Sequence, residues 1–139
     1  MNRTKLIIFL CYFLLILSGV ATIVSIGWML IFFGIFILPI FIVHLVAITK
    51  ISEFKSLASV VLITSLLLFA FAMLRPDFGD VESHTCYSAL FNLMGLMERK
   101  VEPTNTLFYG SIGTAVITLT LDIVILVKAR RLKRSAGVK

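Results

Sequence analysis

Charged residues are scarce in this sequence: they make up 14% of its 139 residues, whereas 60% are hydrophobic and the mean hydropathy is +1.09. An ordinary soluble domain carries about 25% charged residues, so this composition excludes one. Positions 6–49 contain no residue with a fixed charge. A stretch of that length holds two membrane-crossing helices, because one crossing needs ~20 apolar residues. The composition therefore predicts an integral membrane protein.

Cysteine is also rare, and signatures of catalysis are missing. Cys11 and Cys86 are the two cysteines, which allows at most one disulfide within the chain. The predicted topology places them on opposite sides of the hydrocarbon, so we expect no disulfide. The sequence has no phosphate-binding loop and no nucleophile next to a base. We therefore predict that the protein is not an enzyme and needs no cofactor.

One short segment resembles a metal-binding pattern, because four possible ligands alternate along it: Asp80, Glu82, His84 and Cys86. Neighbours on the same side of a strand lie ~6.5–7 Å apart, whereas zinc needs every ligand within ~2.3 Å of one centre. At most two of these side chains could share an ion. We therefore predict no metal site there and interpret the segment as a solvated acidic stretch.

The apolar runs predict an all-α, four-helix membrane bundle that forms a single domain. The predicted crossings are at about 6–24, 28–48, 56–74 and 107–127, with an extended loop at 75–106 and a basic tail at 128–139. A tight turn near Gly27 joins the first two crossings, since glycine adopts the backbone angles that such turns require. Pro39 removes one backbone hydrogen bond inside the second crossing and should kink it.

Lysine and arginine predict the orientation, because they are retained on the cytoplasmic side of a membrane. With both termini cytoplasmic, ten basic residues lie inside and three lie outside, the three being Arg75, Arg99 and Lys100. This bias predicts an N-in, C-in protein of the cell (inner) membrane. The alternative for the first run is a cleaved signal peptide ending at Ala21. The apolar run continues past Ala21 without a polar break, which favours a retained helix.

His44 and Asp122 are the strongly polar side chains inside the apolar runs, and such residues are rare enough in membranes to be functional candidates. Each lies six residues before a lysine that ends its run, Lys50 and Lys128, so both are ~9 Å from the same boundary at 1.5 Å per residue. A charged carboxylate in hydrocarbon costs at least ~2.5–3.5 kcal/mol on insertion scales. We therefore predict contact between the two. A structural pair and a proton or ion relay both fit this pattern.

Small and polar residues form a stripe along the fourth crossing, where Ser111, Ala115 and Thr118 lead to Asp122 at spacings of four, three and four. This stripe should face the interior of the bundle. Small residues let membrane helices approach closely, so the stripe indicates helix packing. A polar path across the membrane is the alternative, but large apolar residues interrupt the stripe and make a continuous pore a poor fit.

The loop contains an apolar pattern at helical spacing, which predicts a short amphipathic helix. The residues concerned are Tyr87, Leu90, Phe91, Met94 and Met97. This face could lie on the outer leaflet and cap the bundle. It could also contact a partner protein, because methionine-rich surfaces adapt to what they bind.

The net charge of +6 indicates a membrane surface and not nucleic acid, because its largest cluster directly follows an apolar run. That cluster consists of Lys128, Arg130, Arg131, Lys133 and Arg134. It anchors the topology, and we expect it to contact anionic lipids at the cytoplasmic face.

Three functions fit the sequence. The leading one is a non-enzymatic membrane protein with a binding or accessory role, such as an immunity-type protector or a subunit of a membrane complex, with a membrane-protein partner or a second copy of itself. The second is a small proton- or ion-coupled transporter acting through His44 and Asp122. A membrane enzyme is third, since His84 and Cys86 alone supply little chemistry.

The predicted topology can be tested with Cys86 and the C-terminus. Cys86 should react with a membrane-impermeant thiol reagent added to intact cells, whereas a reporter fused after Lys139 should be cytoplasmic, because lysine and arginine hold that end inside. Labelling of Cys86 only after the membrane is broken, together with an external reporter, would overturn the orientation.

Overall fold

A computed structural model describes residues 2–24, 28–75, 77–78, 86–87, 105–135 and 137. Four long helices account for most of them: α1 (Arg3–Val24), α2 (Trp28–Glu53), α3 (Ala58–Leu74) and α4 (Asn105–Ser135). Each contributes a segment long and apolar enough to cross a membrane, and for α3 this segment includes the 3-10 turn before it, at Lys55–Leu57. The prediction of a helical chain with four helices of this kind is confirmed.

Between α3 and α4 the described part of the chain includes one small sheet. Strand β1 (Asp77–Phe78) pairs antiparallel with strand β2 (Cys86–Tyr87), so that Asp77 is opposite Tyr87 and Phe78 is opposite Cys86. Tyr87 therefore begins the predicted amphipathic segment in an extended conformation. The remaining residues of that segment, and the acidic stretch before Cys86, lie outside the described residues.

The connection between α2 and α3 is very short. Helix α2 continues past Ile48 to Glu53, and Lys50 donates a 2.7 Å hydrogen bond to Glu53 in its last turn. Phe54 then takes an extended conformation, and a 3-10 turn (Lys55–Leu57) leads directly into α3. The two helices are therefore consecutive with almost no loop between them, but they contact each other little.

Helix α3 occupies the centre of the bundle, with its most extensive contacts to α1 and α4, while α2 packs mainly against α4. One apolar cluster joins the beginning of α1 with the end of α4, through Cys11, Ile51, Leu57, Val61 and Ala129. The beginning of α1, the α2–α3 connection and the end of α4 therefore lie at the same end of the bundle. That end also carries Lys5, Lys50, Lys55 and the basic cluster of the tail.

Burial in this bundle is reversed relative to a soluble protein. Large apolar side chains are exposed on the outside, as shown by Ile35 at 75% and Phe36 at 68%. Polar side chains are enclosed, and both His44 and Asp122 are 0% exposed. Water would penalise such an exterior, whereas lipid solvates it, so the exterior fits a hydrocarbon surround.

Helix α4 runs beyond Val127 and includes most of the predicted tail. The reason is a buried stripe that continues past the end of the apolar run: Ile125 and Ala129 are 2% and 3% exposed and pack against α2 and α3. The basic residues of this segment are exposed. The end of the apolar run is therefore not the end of the helix.

Candidate functional site

His44 of α2 and Asp122 of α4 are in direct contact in the bundle interior. His44 Nδ1 lies 2.9 Å from Asp122 Oδ2 and 3.1 Å from Oδ1. Neither side chain is exposed. The contact spans 78 positions of sequence and joins two helices that are not consecutive.

The other ring nitrogen of His44 contacts a third helix. His44 Nε2 lies 2.9 Å from Ser65 Oγ on α3, and the Ser65 hydroxyl donates to the Val61 carbonyl oxygen at 2.9 Å. One polar network, made of Ser65, His44 and Asp122, therefore joins α2, α3 and α4.

Apolar layers enclose this network from both ends of the bundle. Towards the basic end lies the cluster that contains Ile48, Val61 and Ile125. Towards the opposite end lies a second cluster that contains Ile40 and Leu68. Water is excluded from both directions, so the polar atoms have to satisfy one another.

The hydrogen bonds of the network leave its polar side chains with partners inside the bundle. The Ser65 hydroxyl donates to the Val61 carbonyl, so its oxygen can accept a hydrogen bond from His44 Nε2. His44 Nδ1 bonds to the Asp122 carboxyl group. Loss of either partner would leave a buried polar group without a hydrogen bond.

Ser65, His44 and Asp122 contact one another in the order of a serine-hydrolase triad, but the Ser65 hydroxyl donates to Val61 and not to the histidine. Hydrolysis also needs donors for an oxyanion and access for a substrate. Ser65 lies inside α3, whose backbone N–H groups are used by the helix, and its side chain is 1% exposed. The arrangement therefore suits holding or passing a proton better than attacking a substrate.

The predicted stripe on α4 faces inward over most of its length. Ser111 and Thr118 are buried and Ala115 packs against the second apolar cluster. The Thr118 hydroxyl donates to the Thr114 carbonyl of its own helix at 2.7 Å. On α1 the hydroxyls of Ser18 and Thr22 likewise donate to carbonyls one turn earlier. These hydroxyls are satisfied within their helices, which favours close packing over a polar path.

The other predicted residues are distributed over the surface. Pro39 lies inside α2 with its side chain exposed, and the kink expected there stays a prediction. The side chains of the tail cluster (Lys128, Arg130, Arg131, Lys133 and Arg134) are exposed along the last turns of α4. Within the described residues, no three histidine, cysteine or acidic side chains are grouped closely enough to hold a metal ion.

Sequence reasoning missed the role of Ser65 in the network. In the sequence, Ser65 lies midway between Ala58 and Ala72 at spacings of seven, as one member of a stripe of small residues. A serine in such a stripe is usually a packing residue. Only the central position of α3 among the other helices brings Ser65 within reach of the histidine.

No protein-family model, curated protein or solved structure matches this chain. The interpretation of the site therefore depends on its geometry alone.

Substitution of the pair tests its contribution to stability. His44→Leu and Asp122→Leu should each lower the free energy of unfolding by about 3–5 kcal/mol, because each leaves one buried polar partner uncompensated. The double variant should lose less than the sum of the two, since it leaves neither group stranded. The measurement is thermal or denaturant unfolding of the purified chain in detergent micelles.

Thr118→Val is the matched control, because Thr118 is buried on the same helix one turn from Asp122 but bonds only to its own backbone. It should cost about 1 kcal/mol, the contribution of one ordinary hydrogen bond. Additive losses in the double variant would show that the two side chains act independently.

Proposed function

We propose that this protein is a non-enzymatic, multi-pass protein of the cell membrane that binds or accompanies another membrane component, as an immunity-type protector or a complex subunit does. The observation that supports it best is the closed network around His44. Both ring nitrogens, the Asp122 carboxylate and the Ser65 hydroxyl have partners within the bundle. The network therefore acts as an internal clamp, and recognition is left to the outer surfaces.

The proposed orientation places both termini in the cytoplasm. Its support is the gathering of basic residues at the end of the bundle where α1 begins and α4 ends. In this orientation the loop 75–106 faces outward, away from the basic end. The loop and the lipid-facing sides of the helices are then the surfaces available to a partner.

A partner-binding face in the loop is the part of this proposal that can be tested directly. A photoactivatable side chain placed at Phe91 should form a covalent adduct with one membrane protein of defined mass, or with a second copy of the chain. Leu90→Asp with Met94→Asp should abolish that adduct, because two carboxylates cannot be desolvated against an apolar partner. The photoactivatable protein and the double variant should both still insert into the membrane, since insertion depends on the apolar runs.

Ser88→Asp with Asn92→Asp is the matched control. It adds the same two charges at the same spacing, but on the opposite side of the predicted helical face. The adduct should persist in this control. An adduct that survives in the Leu90 and Met94 variant would rule out this face as the contact.

A second candidate function, proton-coupled transport, is favoured by one specific observation. The chain of contacts Asp122, His44 and Ser65 is continuous, with both steps from the ring at 2.9 Å. A proton gained at one ring nitrogen changes the hydrogen bond at the other, so the three groups can act as a relay. Their enclosure by apolar layers means that a relay would require the bundle to open on one side at a time.

The decay of a pH gradient, measured in proteoliposomes that contain a pH-sensitive dye, distinguishes a proton relay from a structural clamp. A relay predicts that an imposed pH gradient decays faster with the native protein than with the double variant His44→Leu and Asp122→Leu, which should be inserted but inactive. Thr118→Val should retain the native rate. Equal decay with native protein and double variant would remove the transport function and leave the clamp.

A further inference from the structure

A cleft of about 130 Å³ lies between the last turns of α2 and the basic part of α4. Its walls include four apolar side chains, Val46, Phe54, Leu126 and Ala129. The cleft begins within about one turn of His44 and Asp122 and extends towards the basic end of the bundle. It is separated from the polar network by the apolar layer that includes Ile48 and Ile125.

Charged side chains form the rest of the lining. Lys50 and Glu53 contribute from α2, and Arg130 and Lys133 contribute from α4. Glu53 already accepts the 2.7 Å hydrogen bond from Lys50. Three basic groups therefore face one acidic group, and the cleft has a net positive charge of two.

Along α4 the apolar wall of the cleft comes first and the basic residues follow. The acyl chains and the headgroup of a phospholipid follow each other in the same order. Leu126 belongs to the apolar segment of α4, whereas Arg130 and Lys133 lie one and two turns beyond it. Arg130 and Lys133 are three residues apart and therefore lie on the same side of the helix. A guanidinium and an ammonium group placed together bind phosphate oxygens well.

We propose that this cleft is a specific site for one anionic phospholipid, with an acyl chain against Val46 and Leu126 and the headgroup phosphate between Arg130 and Lys133. Basic pockets between membrane helices bind anionic headgroups in this way. The site is distinct from a general attraction of the tail to a charged membrane, because it uses one face of α4 together with α2. It does not depend on the protein's proposed role as a binding or accessory component.

The opposite face of the same helix supplies a matched control. Lys128 and Arg131 lie with Ile123, Val124 and Val127 around an open recess of about 480 Å³ on another side of α4. This recess is lined by α4 alone, whereas the cleft is lined by both α2 and α4. The basic side chains of both faces are exposed, so replacing them should not disturb the core. Arg130→Gln with Lys133→Gln and Lys128→Gln with Arg131→Gln remove the same charge from the same helix. The two double variants differ only in which face of α4 loses the positive charge.

The experiment uses the full chain in nanodiscs of phosphatidylcholine that contain increasing fractions of phosphatidylglycerol. Native mass spectrometry counts the phosphatidylglycerol molecules that remain bound. Loss of Arg130 and Lys133 should weaken retention about thirtyfold, since each basic residue near the surface contributes about fivefold. Loss of Lys128 and Arg131 should change retention by less than about threefold, the effect of a general charge reduction screened by salt.

Two results would overturn the proposal. Equal weakening in both variants would show a diffuse attraction to the charged membrane and no site. Displacement of the bound lipid by inorganic phosphate alone would show that the acyl chain contributes nothing, so the cleft would be an anion site and not a lipid site. Unfolding midpoints of both variants should match the native protein, as expected for exposed side chains.

Discussion

The interaction on which the bundle depends is the pair of contacts made by the two ring nitrogens of His44. One fixes α4 through Asp122 and the other fixes α3 through Ser65, while His44 itself belongs to α2. Lipid offers little hydrophobic force to hold helices together, since its tails are as apolar as the side chains. Directional bonds in a dry layer therefore contribute more to the choice of one helix arrangement than the surrounding leucines and isoleucines do.

The packing around this network follows from the same constraint. Close approach of α1 to α3 is possible because small residues, including Ala21 and Ala72, meet between them. The hydroxyls of Ser18 and Thr118 bond to their own helices and do not compete with the network for partners. One layer of the interior is thus polar and specific, and the layers on either side are apolar and tightly packed.

Much of this architecture could be predicted from the sequence, because charged residues flank the apolar runs of a membrane protein. Their positions therefore indicate how deep the residues between them lie. His44 and Asp122 are equally far from the lysines that end their apolar runs, which predicts that the two lie at the same depth. In the structure His44 Nδ1 is 2.9 Å from Asp122 Oδ2. Ser65 could not be assigned in advance, since its neighbours depend on which helix occupies the centre. The end of α4 could not be predicted from the sequence for a different reason. Ile125 and Ala129 form a buried stripe whose partners on α2 and α3 are distant in sequence.

The unbroken helical course of α4 from Asp122 to Ser135 makes this segment a rigid spacer. Its length is about 20 Å at a rise of 1.5 Å per residue, and Ile125 and Ala129 hold it against α2 and α3. The basic side chains of its last turns are therefore kept at a fixed distance from the carboxylate bound to His44.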